Sequence, residues 1–206
     1  MKVAKGNSLI KTGFAALALV FLAAIVISCS SEAPFAPVVY DQTSFKALNS
    51  VLNEFGTDPF STLTDSDGNL AKSGRWEIVE DSDYADVGAD GGVITLKLRG
   101  AVSTFEIPKD AVCAHCDKDC VVRINAKALL FNTPFGPLVL YDFGPDGLVF
   151  DKDCKLKIEA GFKDRVVDLF WFNPDTGVWE LEQTVRVDKR GKAEFKIRHF
   201  SKYAIS

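Results

Sequence analysis

The chain has 206 residues, of which 28 are Asp or Glu and 24 are Lys or Arg, and 47% of it is hydrophobic. That length supports one domain with a real core. The acidic balance argues against holding nucleic acid or anionic lipid by long-range attraction. Two histidines in the whole chain leave few candidates for general-base catalysis.

Lys2, Lys5 and Lys11 precede an uncharged apolar stretch from Gly13 to Ile27. These are the basic and hydrophobic regions of a secretory signal, and the stretch falls short of the about 20 apolar residues that a membrane-spanning helix needs. Val26-Ile27-Ser28-Cys29 then resembles the lipobox of bacterial lipoproteins. The resemblance implies cleavage before Cys29, acylation of its sulfur and amine, and a mature chain held on the membrane by lipid. It also implies the outer membrane of the cell envelope, because Ser30 stands where an aspartate would favour retention in the inner one. The first 28 residues hold three Lys and no acid, so their removal takes the net charge from −4 to −7.

Residues 29–42 read as a Ser/Pro tether containing "SSEAPFAP". Residues 43–75 read as a short helix and a loop. Phe45, Leu48, Leu52 and Phe55 recur at helical spacing, with Thr43 or Ser44 to cap the start and Gly56 to close the end. In the loop, Asp65-Ser66-Asp67-Gly68-Asn69 resembles half a calcium loop but lacks the distal bidentate Glu, so a solvated turn is the better reading.

Residues 76–206 read as strands. Short apolar runs are expected at Val93–Leu98, Thr104–Ile107, Val121–Ala128, Leu138–Phe143 and Lys155–Glu159. Trp179, Leu181, Val185 and Val187 share one parity, the signature of a half-buried strand. Turn residues at Asn173–Gly177 and Asp188–Gly191 predict an antiparallel meander of Val167–Phe172, Val178–Val187 and Lys192–Arg198. The fold class is therefore all-β, an antiparallel β-sandwich with a signal helix and one short amphipathic helix before it. Trp76, Trp171 and Trp179 are expected in its core.

Gly91-Gly92 opens a strand, "FEIPKDAV" begins at Phe105, and "LYDFGPDGLVFDKDCKLKI" begins at Leu140. Together these resemble the ZU-five domain over about residues 91–159. That resemblance implies a β-sandwich used for interaction or structure, with no cofactor and no catalytic centre. Cys154 departs from the pattern, which usually has proline there.

Cys113-x2-Cys116-x3-Cys120 and the distant Cys154 admit three readings. In an oxidising compartment they form two disulfides, one of them a long-range bridge from Cys154. Three thiolates beside His115 could instead ligate zinc, or the thiols remain reduced. The last constellation is His199-Phe200-Ser201, a triplet that in some folds cuts its own backbone with Ser as nucleophile and His as base. Its structural alternative is a hydrogen-bonded His closing the last strand. Turnover on an external substrate finds no motif, so the expectation is a non-enzymatic, lipid-anchored module whose partner is the membrane and an envelope protein or glycan.

Overall fold

The computed structural model describes residues 42–63, 77–112, 120–160 and 165–206, all within the unit Asp41–Ser206. Two helices come first, α1 (Gln42–Phe55) and α2 (Pro59–Leu63). Ten strands follow: β1 (Ile78–Val87), β2 (Gly92–Leu98), β3 (Ala101–Ile107), β4 (Val122–Thr133), β5 (Gly136–Gly144), β6 (Val149–Ala160), β7 (Val166–Asn173), β8 (Val178–Arg186), β9 (Lys192–His199) and β10 (Lys202–Ile205). They form two antiparallel sheets, one in the order β1-β4-β5-β10-β7-β8 and the other β2-β3-β6-β9. The expected β-sandwich is the architecture found. Among the described residues no helix is long and apolar enough to cross a membrane.

Alternation builds the four-stranded sheet. In β9, Ala193, Phe195 and Ile197 are buried while Lys192, Glu194, Lys196 and Arg198 are exposed. The exposed set pairs across strands, as in Lys155–Glu194 at 2.8 Å and Lys157–Glu106 at 2.6 Å. The centre of the six-stranded sheet lacks that alternation because both of its faces are covered. Ala128, Leu130, Val139 and Tyr141 face the other sheet, whereas Leu129, Phe131, Leu138 and Leu140 face α1 through Leu48, Val51 and Phe55. A continuous apolar run in β4 and β5 follows directly from this double burial.

Several expectations are corrected. α1 begins at Gln42, so Ser44 lies within the helix, where its hydroxyl donates to the Ser206 carbonyl at 3.0 Å instead of capping. Gly56 closes α1 as expected, with φ +79° and its N–H on Leu52 O at 2.8 Å. The loop that follows contains α2, and β1 was not foreseen.

The meander is only half right. β7 and β8 form the hairpin, but β9 leaves to pair with β6 in the other sheet. A bulge also breaks the parity of β8, because Leu169 and Phe170 oppose Gln183 and Leu181 and leave Glu182 unpaired. Trp179 and Leu181 consequently pack under α1, while Val185 and Val187 pack between the sheets. Trp179 is buried, Trp171 is half-buried, and Trp76 lies outside the described residues, as does Asp65–Asn69.

Candidate functional site

The motifs singled out in sequence converge on one end of the sandwich. Gly91 has φ +80°, and a Cβ there would lie 2.3 Å from the Ile107 carbonyl oxygen and 2.8 Å from the Pro108 carbonyl carbon. Only glycine lets the β1–β2 turn sit against the exit of β3. Asp110, at φ 59°, locks the same contact by donating its N–H to Ala89 O at 2.7 Å. The Gly-Gly and Ile-Pro-Lys-Asp-Ala elements are thus two halves of one joint.

A second joint holds the His-Phe-Ser triplet. The Gly144–Pro145 bond is cis and Gly147 has φ +75°, which folds the β5–β6 connection into a tight turn. That turn clasps the β9–β10 corner. Gly147 N–H donates to Phe200 O at 3.2 Å, Phe200 N–H to Leu148 O at 2.7 Å, and Phe143 N–H to Ser201 O at 3.3 Å. Phe200, 1% exposed, packs its ring 5.5 Å from Phe105, 5.5 Å from Phe143 and 4.7 Å from Phe150. Phe105 of one motif, Phe143 and Phe150 of a second and Phe200 of the triplet therefore meet between the sheets.

His199 and Ser201 share this corner but are not joined to each other. Ser201 Oγ donates to Phe172 O at 3.2 Å. Tyr203 O–H donates to His199 O at 2.8 Å, and its oxygen lies 3.2 Å from His199 Nδ1. With the phenol's single proton committed to the carbonyl, its oxygen accepts from Nδ1–H, which assigns the imidazole tautomer. Burial holds the His199 pKa below its usual value and pushes the Tyr203 phenol far above its own. Among the described residues Gly147 N–H is the one donor on the Phe200 carbonyl that an attack by Ser201 would charge. The corner is built as a clasp, with the nucleophile and base of the cleavage reading each engaged elsewhere.

Beside the clasp runs an open groove of about 400 Å³, lined by Val149, Trp171, Phe172, Pro174, His199 and Lys202. Across the sheet a row of charge extends from it. Lys202 Nζ meets Asp58 Oδ2 at 2.6 Å, and Lys127 Nζ meets Glu80 Oε1 at 2.7 Å. Asp142 lies between the two lysines in the ladder, and burial raises its carboxyl pKa. Periodicity did not reveal this row, because its members come from four strands and the α1–α2 connection.

The cysteines divide. Cys29, Cys113 and Cys116 lie outside the described residues, and Cys120 is half-buried just before β4. Cys154 is fully buried in β6 and carries a free thiol, so the expected long-range bridge from Cys154 is not formed. Cys154 points inward with Leu156 and Ile158 on the core face. Burial, and secondarily the Asp153 charge, pushes that thiol up to about 12, which makes it inert. Among the described residues no group of three His, Cys, Asp or Glu side chains could hold a metal ion. Compared with known protein families and with curated proteins, the chain matches none of them.

Proposed function

We propose that the chain is a lipid-anchored β-sandwich of the bacterial envelope, attached to the outer membrane through Cys29 and acting as a binding or structural module of ZU-five-like design. The observation that carries this reading is the run from the apolar stretch Gly13–Ile27 directly into Val26-Ile27-Ser28-Cys29, the order in which a lipoprotein signal is read. Two or three acyl chains, at about 0.8 kcal/mol per buried methylene, exceed what stable anchoring needs. The engagement of Ser201 with Phe172 O and of His199 with Tyr203 favours a structural corner over self-cleavage at Phe200-Ser201. The groove beside the clasp, with aromatic walls, the Asp146 carboxylate and a Lys202 that Asp58 pairs, has the size of sites that take small ligands or a partner's side chain.

Intact mass of the membrane-extracted protein tests the reading in one measurement. The expected chain begins at Cys29, carries acyl groups and ends at Ser206; Cys29→Ala loses the acyl mass. An unmodified Cys29 in the wild type refutes the anchor. A chain ending at Phe200, restored to Ser206 by Ser201→Ala, would make self-cleavage the function.

A further inference from the structure

The turns at the two ends of the sandwich carry opposite charge. At one end, where β4 meets β5 and β8 meets β9, Arg165, Arg186, Lys189 and Arg190 are exposed. None of the ion pairs among the described residues takes up any of these four cations. Arg99 and Lys192 beside them are paired, with Glu77 and Glu159. Asp188 accepts the backbone N–H groups of Arg190 and Lys192 and offsets one charge. The opposite end, with the clasp, exposes Asp90, Asp146 and Asp175 in its turns against, among the described residues there, the single exposed turn cation Lys109.

The basic end is also where the chain arrives from its N-terminal part. α1 starts there, with Ser44 bonded to Ser206 and Thr43 sharing a cleft with Phe135, Arg165 and Ser206. Two aromatic side chains stand out at this end: Phe135, on the tip of the β4–β5 hairpin, is 43% exposed, and Phe45, in the first turn of α1, is 52% exposed. Twelve residues separate Cys29 from Gln42, a reach of at most about 40 Å.

We propose that this basic end is a seat for an anionic phospholipid bilayer, with Arg165, Arg186, Lys189 and Arg190 over the headgroups and Phe135 and Phe45 at the interface. The proposal rests on lipid anchoring at Cys29, which fixes the globule within reach of one surface. The net charge of −7 describes the mature chain as a whole, but a bilayer feels only charges within about 10 Å of it. Asp188 and the terminal carboxylate of Ser206, in the cleft with Arg165, leave two net charges; each cation near an anionic surface is worth about fivefold in partitioning, so these bias the seated orientation about twenty-fivefold. Exposed Phe at that depth adds the interfacial preference of aromatic rings.

The test uses the membrane-extracted full protein in phosphatidylcholine vesicles with and without phosphatidylglycerol, read by hydrogen exchange. Amides of the 133–136 and 187–191 turns are expected to exchange at least tenfold more slowly on anionic vesicles. High salt, or the combined variant R165Q/R186Q/K189Q/R190Q, should abolish the difference. Intact mass of the same preparation reports acylation separately. An acylated chain whose turns exchange equally on both vesicles overturns the seat and leaves the anchor standing. An unacylated chain that still floats with anionic vesicles, unlike the quadruple variant, keeps the seat and removes the anchor.

Discussion

At the scale of single residues, two glycines show how differently one backbone requirement can be enforced. Gly91 and Gly100 share a φ near +80°, but a Cβ on Gly100 would meet nothing within 4 Å, while one on Gly91 would strike the Ile107 carbonyl. Gly100→Ala should therefore cost only the left-handed penalty of about 1–2 kcal/mol. Gly91→Ala adds displacement of the β3 exit and should cost at least about 2 kcal/mol more than that. Urea unfolding of the two variants checks this, and equal midpoints would refute the joint. The Gly-Gly motif was legible in sequence as a motif, but its cause was not, since the partner atoms sit sixteen positions away in β3. At Cys154 an even cysteine count suggests pairing, whereas the thiol is free and its parity with Leu156 and Ile158 places it on the buried face.

At the scale of elements, the sandwich closes its open sides with side chains where strands cannot pair. On one side Asp81 of β1 accepts the Lys97 N–H of β2 at 2.6 Å. On the other, the Gln183 amide of β8 donates to Lys196 O at 2.6 Å and accepts Lys196 N–H at 3.0 Å, copying a peptide group against the outer edge of β9. Occupying one peptide of the edge in this way interrupts the template that an open strand offers another chain. Gln183→Ala should speed exchange of the Lys196 amide at least tenfold, cost about 0.5–1.5 kcal/mol, and leave Phe195 and Ile197 unchanged. An unaltered Lys196 rate would show that the amide protects nothing. Hairpin signals such as Asn173–Gly177 were readable because turn chemistry is local. The bulge at Glu182 was not, because no residue type marks it, and it alone turns Val185 away from the face that holds Trp179. β1 escaped notice because it is an edge strand with acids at four of its ten positions, a composition that hides alternation.

At the scale of the whole molecule, stability against acid is decided by groups that pull in opposite directions. Burial lowers the His199 pKa, so the unfolded chain binds the proton more readily and folding stability falls as pH drops below about 6.5, the ordinary imidazole value. Asp142 and Glu182 act with the other sign. Burial raises both carboxyls, so the folded state gains relative stability as pH falls through their range, near and above about 4. Asp86, Asp153 and Asp188 are lowered, by Arg123, by Arg198 and by backbone N–H groups respectively, and their contribution is lost below that range. Between pH 7 and pH 5, then, His199 is the group among the described residues that sets the slope. Its ring stands 5.2 Å from Trp171 and its Nδ1–H donates to the Tyr203 oxygen at the clasp, so a proton added at Nε2 puts charge into the half-buried corner where the aromatic cluster joins both sheets. The melting temperature of the wild type should decline steadily from pH 7 to pH 5, and His199→Gln should flatten that decline whatever its own starting stability. A His199→Gln variant that keeps the wild-type slope would place the acid sensitivity outside the clasp, whereas a flat profile in His199→Gln together with a wild-type slope in Asp142→Asn would assign it to this one imidazole.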